Sequence, residues 1–176
     1  MERLTSKNNI MNYSNLKKVR FFFFGFLYKC FFLFALCLSL LSVLVSIFHG
    51  DISGFIKYFL ILVFVCILPF IQSKAMLKKM MKLQKEKYGT DKIIFDLIFD
   101  QDGILSVEQS SQSKSKIMYK DIKKVIETKE MILFISKAGF TIFFEKNKME
   151  LNDIEKLKQL LKKQNISWKK SICHII

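Results

Sequence analysis

Three hydrophobic periods follow one another along this chain. Residues 21–48 (FFFFGFLYKCFFLFALCLSLLSVLVSIF) and 55–71 (FIKYFLILVFVCILPFI) are apolar almost without a break. Residues 30–48 suffice to cross a hydrocarbon core of about 30 Å, and the second run is close to the minimum length. Backbone polar groups inside lipid must be satisfied within the segment, so both runs are predicted helical. The intervening HGDISG allows only a tight return, which makes the pair a membrane hairpin. Over residues 72–89, Met76, Leu77, Met80, Met81 and Leu83 mark one apolar side among lysines. This predicts that the second helix continues beyond the membrane and stops at Gly89.

From Asp91 the period falls to two. Phe95, Leu97 and Phe99 alternate with Asp96, Ile98 and Asp100, as in a half-buried strand. Further strands are expected over 104–108, 116–120, 123–129, 131–136 and 140–145. Between them lie turns at Gln101-Asp-Gly103, Thr128-Lys-Glu130 and Lys137-Ala-Gly139 and a polar loop over 109–116. Helical spacing then returns. Leu151, Ile154, Leu157, Leu160 and Leu161 share a face, and Asn152 with Glu155 resembles a capping box. That stripe must be buried, and the strands are its available partner. The fold class expected is a membrane α-helical hairpin plus an α+β cytoplasmic domain, an antiparallel β-barrel or sandwich closed by a C-terminal helix. The boundaries read as a basic segment over 1–20, the hairpin over 21–71 (spans about 30–48 and 55–71), a basic amphipathic helix over 72–89, the domain over 90–164 and a tail over 165–176.

Charge sets the orientation. Lysine and arginine exceed acids by 29 to 15, a net of +14. Arg3, Lys7, Lys17, Lys18 and Arg20 precede the first run and Lys74, Lys78, Lys79, Lys82, Lys85 and Lys87 follow the second, while the loop between holds neither lysine nor arginine. By the positive-inside rule both termini are cytoplasmic, in a two-span protein of the inner or plasma membrane. Lys29 is expected to snorkel to the headgroups, and Lys17, Lys18 and Arg20 to lie on anionic lipid. The first run is about twice a signal-peptide core and no Ala-x-Ala follows it, so it reads as an anchor. Ser39, Ser42 and Ser46 recur on one face of the first helix, suiting close packing against the second helix or against a second copy. The part from residue 73 onward holds 22 basic and 13 acidic residues, a net of +9, so it is basic in its own right. Nucleic acid is not the expected partner. Arginine occurs only twice, and no aromatic-basic reader motif is present.

No constellation states a chemistry. Asp100-Gln-Asp102-Gly103 fails as a calcium loop, because the positions that need an acid and a glutamate hold Ile98 and Gln109. His49 and His174 fall on opposite sides of the membrane, which removes histidine-based metal sites and triads. Cys30, Cys37 and Cys66 lie in the apolar runs and Cys173 in the tail, with no disulfide framework. No catalytic, cofactor-binding or metal-binding residue is assigned, and the chain is not expected to be an enzyme. Lys114, Lys116, Lys120, Lys123 and Lys124 form the candidate surface for anionic lipid headgroups. Glu127 is expected to pair with a neighbouring lysine, and Thr128 to occupy a strand face.

Residues 117–135, IMYKDIKKVIETKEMILFI, resemble the C-terminal domain of YcxB-like bacterial membrane proteins. There a tyrosine-rich strand runs into an I-x-x-V-x-E-T strand and then an apolar strand. The preceding hairpin, the strand ending in Asp-Gly and the closing helix fit the same family. One departure is Phe144-Glu145-Lys146, where the family often has isoleucine-proline-lysine. The resemblance implies a pleckstrin-homology-like (PH-like) domain, membrane attachment and no defined reaction. The function expected is a non-catalytic inner-membrane protein presenting that domain to lipid headgroups, a membrane-protein partner or a second copy. The alternatives are a self-protection protein against a membrane-active peptide and an accessory transporter subunit.

Overall fold

The computed structural model describes residues 3–171, with Phe26 and Leu27 as backbone only; Cys173 and His174 lie outside the described residues. The chain divides into two units, residues 17–87 and residues 1–16 with 88–176.

The first of these holds two long helices, α2 (Phe26–Phe48) and α3 (Ile52–Tyr88), which follow a short helix α1 (Tyr13–Val19). Segments of both, Tyr28–Phe48 and Ile52–Tyr88, are long and apolar enough to cross a membrane. Phe31, Phe48, Leu60 and Phe64 stand exposed on them, as do the free thiols of Cys30, Cys37 and Cys66. A core helix of a soluble protein would bury such side chains. The return is tighter than HGDISG suggests, because α3 already begins at Ile52. Asp51 caps it by accepting the Gly54 N–H at 2.9 Å. Helix α3 runs through Pro69 and ends before Gly89, whose φ of +69° suits the residue after a helix. Leu77 is fully buried on it, but Leu83 is exposed and falls off the expected apolar side. Ser39 and Ser46 are buried, and their hydroxyls return to the carbonyls of Leu36 and Ser42. Arg20 departs from the expected lipid contact. It is buried, with its guanidinium 4.7 Å from the Phe21 ring centroid and 5.9 Å from that of Phe70.

The second unit is built from β1 (Leu4–Met11), β2 (Ile93–Phe99), β3 (Gly103–Glu108), β4 (Lys114–Met118), β5 (Ile122–Glu127), β6 (Met131–Ser136), β7 (Thr141–Glu145), α4 (Leu151–Lys163) and β8 (Ser167–Lys170). The six strands and the helix read from the periodicity are present. Burial along β2 alternates as expected, with Ile93, Phe95, Leu97 and Phe99 turned inward. Two strands are additional, β1 in the basic N-terminal segment and β8 in the tail. With them the strands form two separate sheets, ordered β1-β2-β3-β4 and β7-β6-β5-β8, so of the two expected forms the closed barrel is not the one present. Closing a barrel requires β4 to pair with β5. That edge of β5 is occupied by β8, which runs parallel to it with Val125 opposite Trp168. The outer edge of β2 is likewise taken by β1.

One core joins the two sheets and the helix. Phe99 of the first sheet meets Phe134 and Phe144 of the second at centroid distances of 5.7 and 5.8 Å. Ile154, Leu157, Leu160 and Leu161 bury the α4 stripe in the same core, but Leu151 does not join it and is exposed. The capping box does not form. The α4 N-cap is Glu150, without a side-chain bond, and Glu155 instead accepts from Lys158 at 2.6 Å. The helix ends in a Schellman turn. Asn165, at φ +56°, donates to Lys162, and Ile166 donates to Leu161, both at 3.0 Å. That reversal lays β8 along β5.

Candidate functional site

The five candidate lysines are spread over β4, the turn that follows it and β5. Lys114 and Lys116 lie exposed on β4, an edge strand. Lys114 is opposite Val107, near one end of the first sheet, and the far end of β4 places Met118 opposite Gly103. Lys116 is engaged by Asp102 at 2.9 Å, and its hydrogen bond holds the exposed Asp102 carboxyl below the usual range. Lys120 sits on the 3-10 turn Tyr119–Asp121, which carries the chain from one sheet to the other. Tyr119 anchors that turn, donating its hydroxyl to the Asp100 carbonyl at 3.0 Å. Burial, reinforced by the charges of Asp100 and Asp102, raises the phenol above its ordinary value, so it remains a donor. Lys123 and Lys124 follow on β5, where a register shift interrupts the pairing with β6. Lys123 is exposed and Lys124 half-buried. The structure therefore groups Lys120 with Lys123 and adds Lys137, which sequence spacing did not suggest. The Lys137 N–H donates to the Asp121 carbonyl at 2.7 Å.

The best-connected polar group is Glu127, at the end of β5. Its carboxylate accepts from Lys146 Nζ at 2.7 Å and Trp168 Nε1 at 2.9 Å, with Lys158 Nζ at 3.7 Å. Lys158 also lies 5.5 Å from the Trp168 ring centroid. Burial alone raises the Glu127 carboxyl. The Lys146 and Trp168 hydrogen bonds and the charges of Lys146 and Lys158 outweigh it and leave the group below its ordinary value. Lys158 is raised, first by its hydrogen bond to Glu155, against desolvation and with help from Glu127. Every strong donor at Glu127 is a fixed protein group, so the arrangement ties β5, β7, α4 and β8 together. A lysine partner for Glu127 was legible in the sequence; the second lysine and the tryptophan were not. Thr128 closes the β5–β6 turn, its hydroxyl 3.0 Å from both the amide and the carbonyl of Met131.

Glu127→Ala should cost about 2 kcal/mol, because it leaves the Lys146 ammonium and the Trp168 indole N–H without their acceptor. A carboxyl held low in the folded state adds stability above its unfolded pKa, and loses it as pH falls through the folded value. The gap between the two proteins should thus be full at neutral pH and close progressively below about pH 4.3. Urea unfolding across that range, read by circular dichroism, checks both the size and the sign.

The aspartates of β2 also have partners that the sequence did not reveal. Asp96 accepts the Asn8 N–H at 2.7 Å and the Gln109 side chain at 3.2 Å, and Asp100 pairs with Arg3 at 3.3 Å. They hold β1 and the residue before it in place. The departure at residues 144–146 is absorbed in the same way. Phe144 is fully buried, Glu145 accepts from Asn15 at 3.0 Å, and Lys146 serves Glu127.

Comparison with known proteins bears on the segment that holds these features. No curated protein matches the chain. Among solved structures, the C-terminal domain of an unknown protein from Leishmania infantum is similar at 18% identity and a TM-score of 0.33, over 42% of this chain and 71% of that one. The family model described as YcxB-like protein matches residues 99–161, from the last residue of β2 into α4. That span contains the IMYKDIKKVIETKEMILFI run, Glu127 and the whole sheet-crossing turn, and over it the chain is similar to the YcxB-like family.

Proposed function

We propose that this chain is a non-catalytic integral membrane protein. Its two apolar helices span the bilayer and hold a basic, PH-like domain on the cytoplasmic side, where it docks a protein partner or anionic headgroups. The observation that carries the reading is the pairing of β1 with β2, Leu4 opposite Phe99 and Met11 opposite Ile93. Strands from before and after the apolar helices belong to one folded unit, so the segment between them must leave and return on the same side. Two spans satisfy this; one does not. The helices' exposed apolar side chains and the excess of lysine at both flanks support the same reading. The basic surface, including Lys114, Lys116, Lys120, Lys123 and Lys124, would favour acidic ligands.

Single-cysteine labelling of the full chain tests the topology, in a background without the four native cysteines. His49→Cys should react with an impermeant maleimide added to intact cells, and Ser111→Cys should react only after lysis. The reverse pattern would place the domain outside and sink the proposal.

A further inference from the structure

The β6–β7 turn and the turn Tyr119–Asp121 meet at one corner of the domain. One hydrogen bond joins the two turns and two more close the β6–β7 loop. Lys137 N–H is bound to the Asp121 carbonyl at 2.7 Å, Phe140 N–H to Ser136 Oγ at 2.8 Å, and Ser136 N–H to the Phe140 carbonyl at 2.8 Å. Gly139 bends the loop at φ +87°, a conformation that other residues adopt at a cost. The loop presents Phe140, 69% exposed, while the next aromatics on the strand, Phe143 and Phe144, are buried. Lys120, Lys123 and Lys137 on the two joined turns and the start of β5 are exposed, and so is the acid Asp121. Among the described residues none of these three lysines has an ion-pair partner. The corner also lies at the end of the first sheet where β4 reaches Met118. The connections to the apolar helices leave from the opposite end, where Met11 faces Ile93.

We propose that this corner is a docking surface for an acidic segment of a partner protein, with Phe140 as its apolar anchor. The inference rests on the docking role proposed above and names its site and partner class. One exposed phenylalanine is ordinary. A phenylalanine on a hydrogen-bonded loop that shares its corner with exposed lysines has the anatomy of an interface hot spot with a polar rim. The rim selects the partner. A second copy, at +14, would bring its own excess of lysine against these lysines. The protein's own anionic bilayer is the competing surface, and the identity of the crosslinked species distinguishes it.

Photo-crosslinking of the full chain in the membrane of the cells that produce it tests this. p-Benzoylphenylalanine replaces Phe140 in one protein and, as an internal control, the exposed Leu151 beyond the other end of β7 in a second. The Phe140 site should yield a protein adduct whose crosslinked peptide carries more aspartate and glutamate than lysine and arginine. Lys120→Glu with Lys137→Glu should lower its yield at least tenfold and leave the Leu151 adducts unchanged, which also shows that the fold survives. No adduct at residue 140, a lipid adduct, a second copy, a non-acidic peptide, or indifference to charge reversal would each overturn the inference. A lipid adduct would leave the docking role standing, and only the labelling test can remove the membrane topology itself.

Discussion

Residues 88–176 expressed alone should aggregate, whereas a chain in which residues 13–91 are replaced by Asn-Gly should fold as a soluble monomer. The first fragment lacks β1. Its loss removes Leu4 and Met11 from the core and bares one edge of β2, whose sequence IIFDLIF is apolar on both faces. An unpaired apolar edge of that kind templates intermolecular pairing. The second chain restores the edge by exploiting the register. Met11 is opposite Ile93 in an antiparallel pair, so Asn12 and Lys92 flank a position where two residues can close a hairpin. Asn-Gly is the favoured two-residue turn for that geometry. The apolar helices are thus an insertion into the loop of a β-hairpin. The excision also removes Leu16 and the Asn15 bond to Glu145, which lowers stability without removing a strand. Size-exclusion chromatography and denaturant unfolding followed by circular dichroism check the pair. A monomeric, cooperatively unfolding 88–176 fragment would show that β1 is dispensable.

Leu157→Asp should abolish the native fold of the domain, whereas Gln159→Asp should change stability by less than about 0.5 kcal/mol. Leu157 has no exposed surface and lies in the cluster that joins α4 to both sheets. Aspartate there loses the burial of a leucine, about 2 kcal/mol. It also confronts the core with a carboxyl that has no partner, a further cost of several kcal/mol even when protonated. The sum approaches the whole stability of a domain this size. Gln159 is two residues away on the exposed side of the same helix. Lys158 is the wrong control despite its position next to Leu157, since it lies within reach of Glu127 and donates to Glu155. Protease resistance of the two variants, compared in detergent with the parent chain, gives the answer. Equal resistance would refute the placement of α4 over the core.

By itself, the sequence determined the elements with a regular apolar pattern: the long apolar helices, strands such as β2 and β6, and the stripe of α4. In those segments apolar side chains repeat at two, at three to four, or continuously, and the repeat alone identifies the element. The tertiary structure decided β1. Its inward positions include Ser6 and Asn9, buried polar residues that bond each other at 3.1 Å across a bulge where Asn8 takes φ +56°. A strand whose buried side chains satisfy one another shows no apolar alternation. It decided β8 as well, because Ser167–Lys170 is too short and too basic to read as a strand without β5 beside it. From those two strands follow the separate sheets, the partners of Asp96 and Asp100, and the Trp168 bond to Glu127. The lysines divide along the same line. Their number and sign belong to the sequence. That the turn bearing Lys120 and the loop bearing Lys137 and Phe140 meet is decided by a backbone hydrogen bond between residues sixteen apart.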